Sequence, residues 1–136
     1  MKYVLDTNAL SALLKGDRNA AQRLKSTARR DIGVPSPVIA EIEYGIARLP
    51  RSKRKQRLAD RFNLFREQLH RIPWTDEVSA AFGTIKADLE KRGTRLEDFD
   101  IAIAAHAAAL DAILITGDRS HMTRIKNLDV EDWTAS

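Results

Sequence analysis

The chain has 136 residues, 43% of them hydrophobic and 31% charged, a balance that fits one compact globular domain over 1–136 and excludes a disordered tail or a fibrous repeat. Lys and Arg outnumber Asp and Glu by 23 to 19, so the charge accommodates an anionic partner without demanding one. The absence of cysteine excludes disulfides and zinc–thiolate sites and fits a reducing cytoplasm.

Tyr3-Val4-Leu5 is a short apolar run ending at Asp6, as expected of a strand buried on both faces of a parallel sheet. It is too brief for the core of a signal peptide, and no apolar run approaches the roughly 18 residues of a membrane span. Thr7 or Asn8 can cap a following helix over Ala9 to Lys15, with Leu10, Leu13 and Leu14 on one face and Gly16 as its stop. A short helical stretch from Asn19 to Thr27 leads to a second strand, Ile32-Gly33-Val34. Ser36-Pro37 opens another helix, Ser as cap and Pro in the first turn, with Val38, Ile39, Ile42 and Ile46 facing inward.

Ser52 caps a helix in which Leu58, Phe62, Phe65 and Leu69 recur at helical spacing beside a basic face. Arg71-Ile72-Pro73-Trp74 reads as a short edge strand or loop, because proline cannot donate to a ladder. Thr75 caps a helix striped by Val78, Ala81, Phe82, Ile85 and Leu89 and stopped at Gly93. Thr94-Arg95-Leu96-Glu97 has capping-box form, and the helix after it shows a face of small residues, Ala104, Ala105 and Ala108 beside Ile101. A strand over Ala112 to Thr116 and an alternating edge segment from Leu128 to Trp133 complete an α/β pattern, a parallel sheet covered by helices on both faces.

Ligand crevices in open α/β sheets lie at the carboxyl ends of the strands, which singles out Asp6 and Asp118. Glu41, early in the helix after the second strand, and Asp100, at the start of the alanine-rich helix, fall near the same edge. Each has a plainer reading: a turn former, a helix cap, or, for Asp98 and Asp100, an acid favoured by the helix dipole. The helical wheel does not separate Glu41 from Glu43; only its earlier place favours Glu41. Carboxylates brought together repel one another unless a cation compensates them, and an all-oxygen set suits a hard divalent ion, Mg²⁺ or Mn²⁺. Such an ion lowers the pKa of water and neutralises a phosphodiester.

Four fragments, in order, resemble the PIN-domain ribonucleases and, within them, the VapC-type toxins of bacterial toxin–antitoxin pairs. They are Leu5-Asp6-Thr7-Asn8 with Leu10-Ser11, Ala40-Glu41-Ile42 with Tyr44-Gly45, Asp100 with Ile103-Ala104-Ala105-His106-Ala107, and Thr116-Gly117-Asp118 before Val130-Glu131-Asp132-Trp133. The resemblance implies a PIN-like three-layer domain with a sheet of about five strands, and an acidic pocket of Asp6, Glu41, Asp100 and Asp118. Asp6 and Asp100 would be direct Mg²⁺ ligands, with Glu41 and Asp118 completing the site directly or through water. Thr7 and Thr116 look like the family's hydroxyl residues beside the acids, and equally like a cap and a strand end. The resemblance also implies an RNA substrate such as tRNA or rRNA, a homodimer, and a small VapB-type antitoxin that inserts a basic side chain into the pocket. Met122, where the family often has an aromatic, and the additional acid Asp98 depart from the pattern.

An acidic pocket needs positive charge around it to hold RNA. Nine Lys and Arg lie between Arg48 and Arg71, and Arg92, Arg95 and Arg119 lie closer in sequence to the acids. His70, His106 and His121 lack metal-ligand spacing, and Trp74 and Trp133 read as packing residues. Two other functions compete with a metal-dependent endoribonuclease: a non-catalytic RNA- or protein-binding module, and a phosphatase with Asp6 as nucleophile. The second commonly needs another Asp two residues on, where Asn8 stands.

Overall fold

The computed structural model describes residues 1–135. Five strands, β1 (Tyr3–Leu5), β2 (Ile32–Pro35), β3 (His70–Ile72), β4 (Ile113–Ile115) and β5 (Val130–Glu131), form one sheet in the order β3-β2-β1-β4-β5. Every pairing is parallel, with Tyr3 opposite Ile32 on one side and opposite Ile113 on the other. Val4, Leu5, Ile32, Leu114 and Ile115 are completely enclosed, as strands covered on both faces must be.

The helices are α1 (Thr7–Leu14), α2 (Arg18–Lys25), α3 (Ser36–Ala47), α4 (Lys53–Gln68), α5 (Asp76–Lys91), α6 (Asp98–Ala109) and the four-residue α7 (Arg119–Met122). Helix α6 is buried at every position from Ile101 to Ala107 and packs against α3, α5, β1 and β4. Apolar residues around its whole circumference demand such a central place, and its alanines permit close approach. Ser52 and Thr75 cap α4 and α5, accepting from the N–H groups of Lys55 and Val78. Lys55 Nζ reaches back to the carbonyls of Ala47 and Leu49, at 3.3 and 3.2 Å, and closes the C-terminal end of α3.

Several local expectations need correction. Asp6, rather than Thr7 or Asn8, caps α1, because the helix starts one residue after the strand ends. Ser36 is already helical and its hydroxyl donates to the Ile72 carbonyl, so Pro35 takes the cap position of α3. Helix α2 begins at Arg18, one residue early, because Asp17 accepts from the Ala20 N–H. The capping box at Thr94 does not form: Thr94 Oγ1 turns to the Arg92 carbonyl, and Glu97 occupies the cap position without a side-chain bond. Helix α7 is too short for periodicity to reveal. The last strand is only Val130–Glu131, and Trp133 leaves it to pack edge-on against Tyr3.

At the junction of β2 and β3, Gly33 leaves no room for a side chain. A Cβ there would stand 2.7 Å from Ile72 Cγ1 and 2.8 Å from Met1 Sδ. We expect Gly33→Ala to cost about 1–3 kcal/mol, read as a lowered urea midpoint with an unchanged slope. An unaltered midpoint would show that the edge strand yields freely.

Candidate active site

Strands β2 and β3 follow β1 on one side while β4 and β5 lie on the other, so the chain leaves the sheet in opposite directions at the border of β1 and β4. Such a border opens a crevice at the carboxyl edge. Asp6 leaves β1 into it, and Thr116, Gly117 and Asp118 leave β4 into it.

Asp6 is only 3% exposed. Its Oδ1 accepts from the Ala9 N–H at 2.9 Å. Burial nevertheless pushes its pKa up to about 6; the Thr116 hydroxyl and the Ala9 N–H oppose the shift, and repulsion from Asp100 and Asp118 adds to it. The cap and the candidate ligand are thus one side chain. Asp100, in the first turn of α6, is also raised, chiefly by burial and then by Glu41 and Asp118. Asp118 is held below the usual carboxylate range by its hydrogen bond from His121 Nδ1, and Ser120 Oγ donates to it at 3.2 Å.

Glu41 lies on the second turn of α3, where Thr7 Oγ1 donates to its Oε1 at 2.5 Å. Glu43 is exposed, so the choice that the helical wheel leaves open is resolved by what each side chain meets. Asp98 is engaged by Lys86 Nζ at 3.0 Å. The candidate acids act on one another electrostatically, Asp6 with Asp100 and Asp118, and Asp100 with Glu41 and Asp118. Among the described residues no three His, Asp or Glu side chains are gathered tightly enough to enclose an ion alone.

Two grooves leave the crevice. One, of about 430 Å³, runs from Thr7 and Glu41 past Lys15, Tyr44, Arg48 and Arg54. The other, of about 510 Å³, runs from Asp100 past His121 to Arg95. A separate cavity of about 240 Å³ beneath α4, lined by Phe62 and Phe65 together with Arg66 and Arg71, contains none of the four acids.

Two contributors, His121 and Asn8, escape a reading of the sequence. His121 stands three residues after Asp118, a local signal that could have been found had α7 been expected. Thr116, which the resemblance sets beside the acids, is completely buried; its hydroxyl accepts the Asp118 N–H at 2.9 Å and lowers the pKa of Asp6. Asn8 Oδ1 accepts the Gly117 N–H at 2.7 Å across a separation of 109 residues, which nothing in the sequence announces. His106 is completely buried and packs edge to face against Trp74, which is itself 45% exposed, and Met122 is buried in the core.

The family model described as PIN domain matches residues 3–128. Ribonuclease VapC2 of Rickettsia felis is 31% identical over 135 residues, covering 98% of each chain. A tRNA(fMet)-specific endonuclease VapC of Salmonella typhimurium is 23% identical over 133 residues, again 98% of each. Among solved structures, VapBC2 from Rickettsia felis bound to a DNA fragment from their promoter matches with a TM-score of 0.88 and 30% identity, covering 98% of this chain and 99% of that one. With the family match running from β1 almost to β5, and a relative more than 30% identical over nearly its whole length, this chain belongs to the PIN-domain family, on its VapC branch.

Proposed function

We propose that this chain is a Mg²⁺-dependent endoribonuclease, the toxin half of a toxin–antitoxin pair, and that Asp6, Glu41, Asp100 and Asp118 carry its chemistry. The observation that carries the reading is Asp6: a nearly inaccessible carboxylate whose ionisation is opposed by burial and by two neighbouring acids. A natural chain tolerates such a group where a cation relieves it. The donor set fits the ion, because carboxylates alone suit a hard divalent metal, and an open crevice suits Mg²⁺, which keeps several of its waters. Asp6 and Asp100 are the direct ligands in this reading, with Glu41 and Asp118 completing the site directly or through water; Mn²⁺ substitutes.

When bound, the ion would activate water and neutralise the phosphodiester during in-line attack. The chain's own residues set the stage for it. The Ala9 N–H and the Thr116 hydroxyl orient Asp6, the Thr7 hydroxyl orients Glu41, and His121 keeps Asp118 ionised. The products expected are a 5′-phosphate and a 3′-hydroxyl. Names carried by the relatives support RNA as substrate, one of them naming a tRNA, and the VapBC pair among the neighbours supports a VapB-type antitoxin. A basic side chain from that antitoxin would replace the cation in the acidic crevice. A cytoplasmic homodimer completes the reading; no helix among the described residues is long and apolar enough to cross a membrane.

RNA must lie along positive charge to reach an acidic site. Arg54 lines the groove that starts at Glu41, and Arg51 and Lys53 flank it at the exposed start of α4. Lys55 is committed to the end of α3. Replacing Arg51, Lys53 and Arg54 with glutamine should weaken RNA binding and flatten its logarithmic salt dependence by about 0.7 per lost phosphate contact. A slope equal to that of the unaltered protein would move the RNA path to the Arg95 groove. The decisive test of the function is sequencing of RNA ends after brief induction of the intact chain and of Asp6→Asn. New 5′-phosphate ends with the first alone, lost in excess EDTA in vitro, are expected; cleavage that survives either change rejects the mechanism.

A further inference from the structure

Beyond the edge of the sheet, the segments that carry Asp6 and Asp118 part company. The last backbone bond between them is from the Asp6 N–H to the Ile115 carbonyl, at 3.0 Å; after it one segment enters α1 and the other turns toward α7. The turn at Gly117 and Asp118 has its two successive N–H groups taken by side chains. Thr116 Oγ1, from its own strand, accepts the Asp118 N–H at 2.9 Å, and Asn8 Oδ1, from the opposite segment, accepts the Gly117 N–H at 2.7 Å. Asn8 is exposed, so no burial explains it, and asparagine is a poor residue for an exposed place in a helix. Gly117 matches it: a Cβ there would come within 3.3 Å of Asn8 Oδ1, so glycine keeps the contact close.

We propose that Asn8 is a positioning residue: by holding Gly117 it fixes where Asp118 stands relative to Asp6, and so keeps the divalent-ion site in binding geometry. The proposal rests on the metal-dependent reading above. Asn8 contacts the Gly117 N–H, so it acts through the backbone of the turn. Its loss should therefore damage metal affinity and turnover far more than folding, because one exposed hydrogen bond adds little to stability whereas outer partners of metal ligands are worth ten- to a hundredfold in affinity.

The test uses the full chain, with Mn²⁺ as the probe. Titration calorimetry at pH 7.5, thermal unfolding in EDTA and steady-state cleavage of total tRNA are compared for the unaltered protein, Asn8→Ala, Asn8→Asp, Gly117→Ala and Asp6→Asn. Asn8→Ala should bind Mn²⁺ about tenfold more weakly and lose about tenfold in kcat with KM for RNA unchanged, while its midpoint in EDTA moves by only a few degrees. Gly117→Ala, which crowds the same contact, should show a loss in the same direction. Asn8→Asp keeps the acceptor oxygen and should bind at least as tightly as the unaltered protein. Asn8→Ala that binds Mn²⁺ within twofold of the unaltered chain, or Asn8→Asp as weak as Asn8→Ala, overturns the proposal. Asp6→Asn that retains Mn²⁺ overturns the metal reading instead, so the two failures are told apart.

Discussion

Asp6→Asn should abolish RNA cleavage and, in the same step, make the metal-free protein more stable at neutral pH. The first effect follows from removing a direct metal ligand. A Lewis acid supplies several kcal/mol at the transition state, so the loss is on the order of 10³-fold or more. The second follows from linkage. The pKa of Asp6 is raised from 3.8 to about 6 in the folded chain, so the folded state holds its proton more tightly than the unfolded one. That stabilisation is fully present below about pH 3.8 and is lost as pH rises through about 6.

At about 1.4 kcal/mol per pKa unit, the native protein forgoes up to about 3 kcal/mol above pH 6. Asparagine caps a helix as well as aspartate and keeps the acceptor for the Ala9 N–H, so the variant escapes that cost. Unfolding in urea with EDTA, followed from pH 4 to 8, should show the two proteins converging at the acid end. The variant should pull ahead near neutrality, by on the order of 10 °C in thermal midpoint. Adding Mg²⁺ should then raise the stability of the unaltered protein and leave the variant unmoved. A variant no more stable than its parent at pH 7.5 would contradict the view that Asp6 is held against its own preference.

Thr116→Val carries the next largest effect. Valine matches threonine in shape and fits the completely buried position, but it removes the hydroxyl that favours the ionised form of Asp6 and accepts the Asp118 N–H. Leaving such groups without partners costs about 1–3 kcal/mol. Turnover should fall about 10- to 100-fold, the usual consequence of removing a group that orients metal ligands. Because the Thr116 hydroxyl lowers the pKa of Asp6, losing it raises that pKa further. The pH at which Mn²⁺ affinity collapses on acidification should therefore move upward in the variant. Thr116→Ser should restore both rate and midpoint. Unimpaired turnover in Thr116→Val would leave Thr116 as a strand end and nothing more.

Much of the scaffold was legible because its cues are local. The stops, the caps at Ser52 and Thr75, and the apolar stripes of α4 and α5 depend on neighbours within a turn or two, and they stand where residue order places them. Caps went astray at Thr7, Ser36 and Thr94 because a hydroxyl chooses among several carbonyls and N–H groups, and tertiary contacts decide; Ser36 turns to Ile72 on another strand. Asp6, Glu41, Asp100 and Asp118 could be nominated from their places at strand ends and helix starts, together with the family resemblance. The hydrogen bonds that brace them could not. Thr7 to Glu41 and Asn8 to Gly117 join residues distant in sequence, and such pairs leave no periodic trace.

The pairing of β1 with β4 sets Tyr3 against Ile113, so the first strand of the sheet finds one of its two neighbours only after more than a hundred further residues have been made. A ribosome still building this protein holds a polypeptide in which Asp6 has no Thr116 beside it and Asp118 does not yet exist. The acidic site therefore cannot assemble on a growing chain before Asp118 has been added, and the late closure of a non-local sheet, ordinarily a handicap in folding, sets the moment at which the site can form.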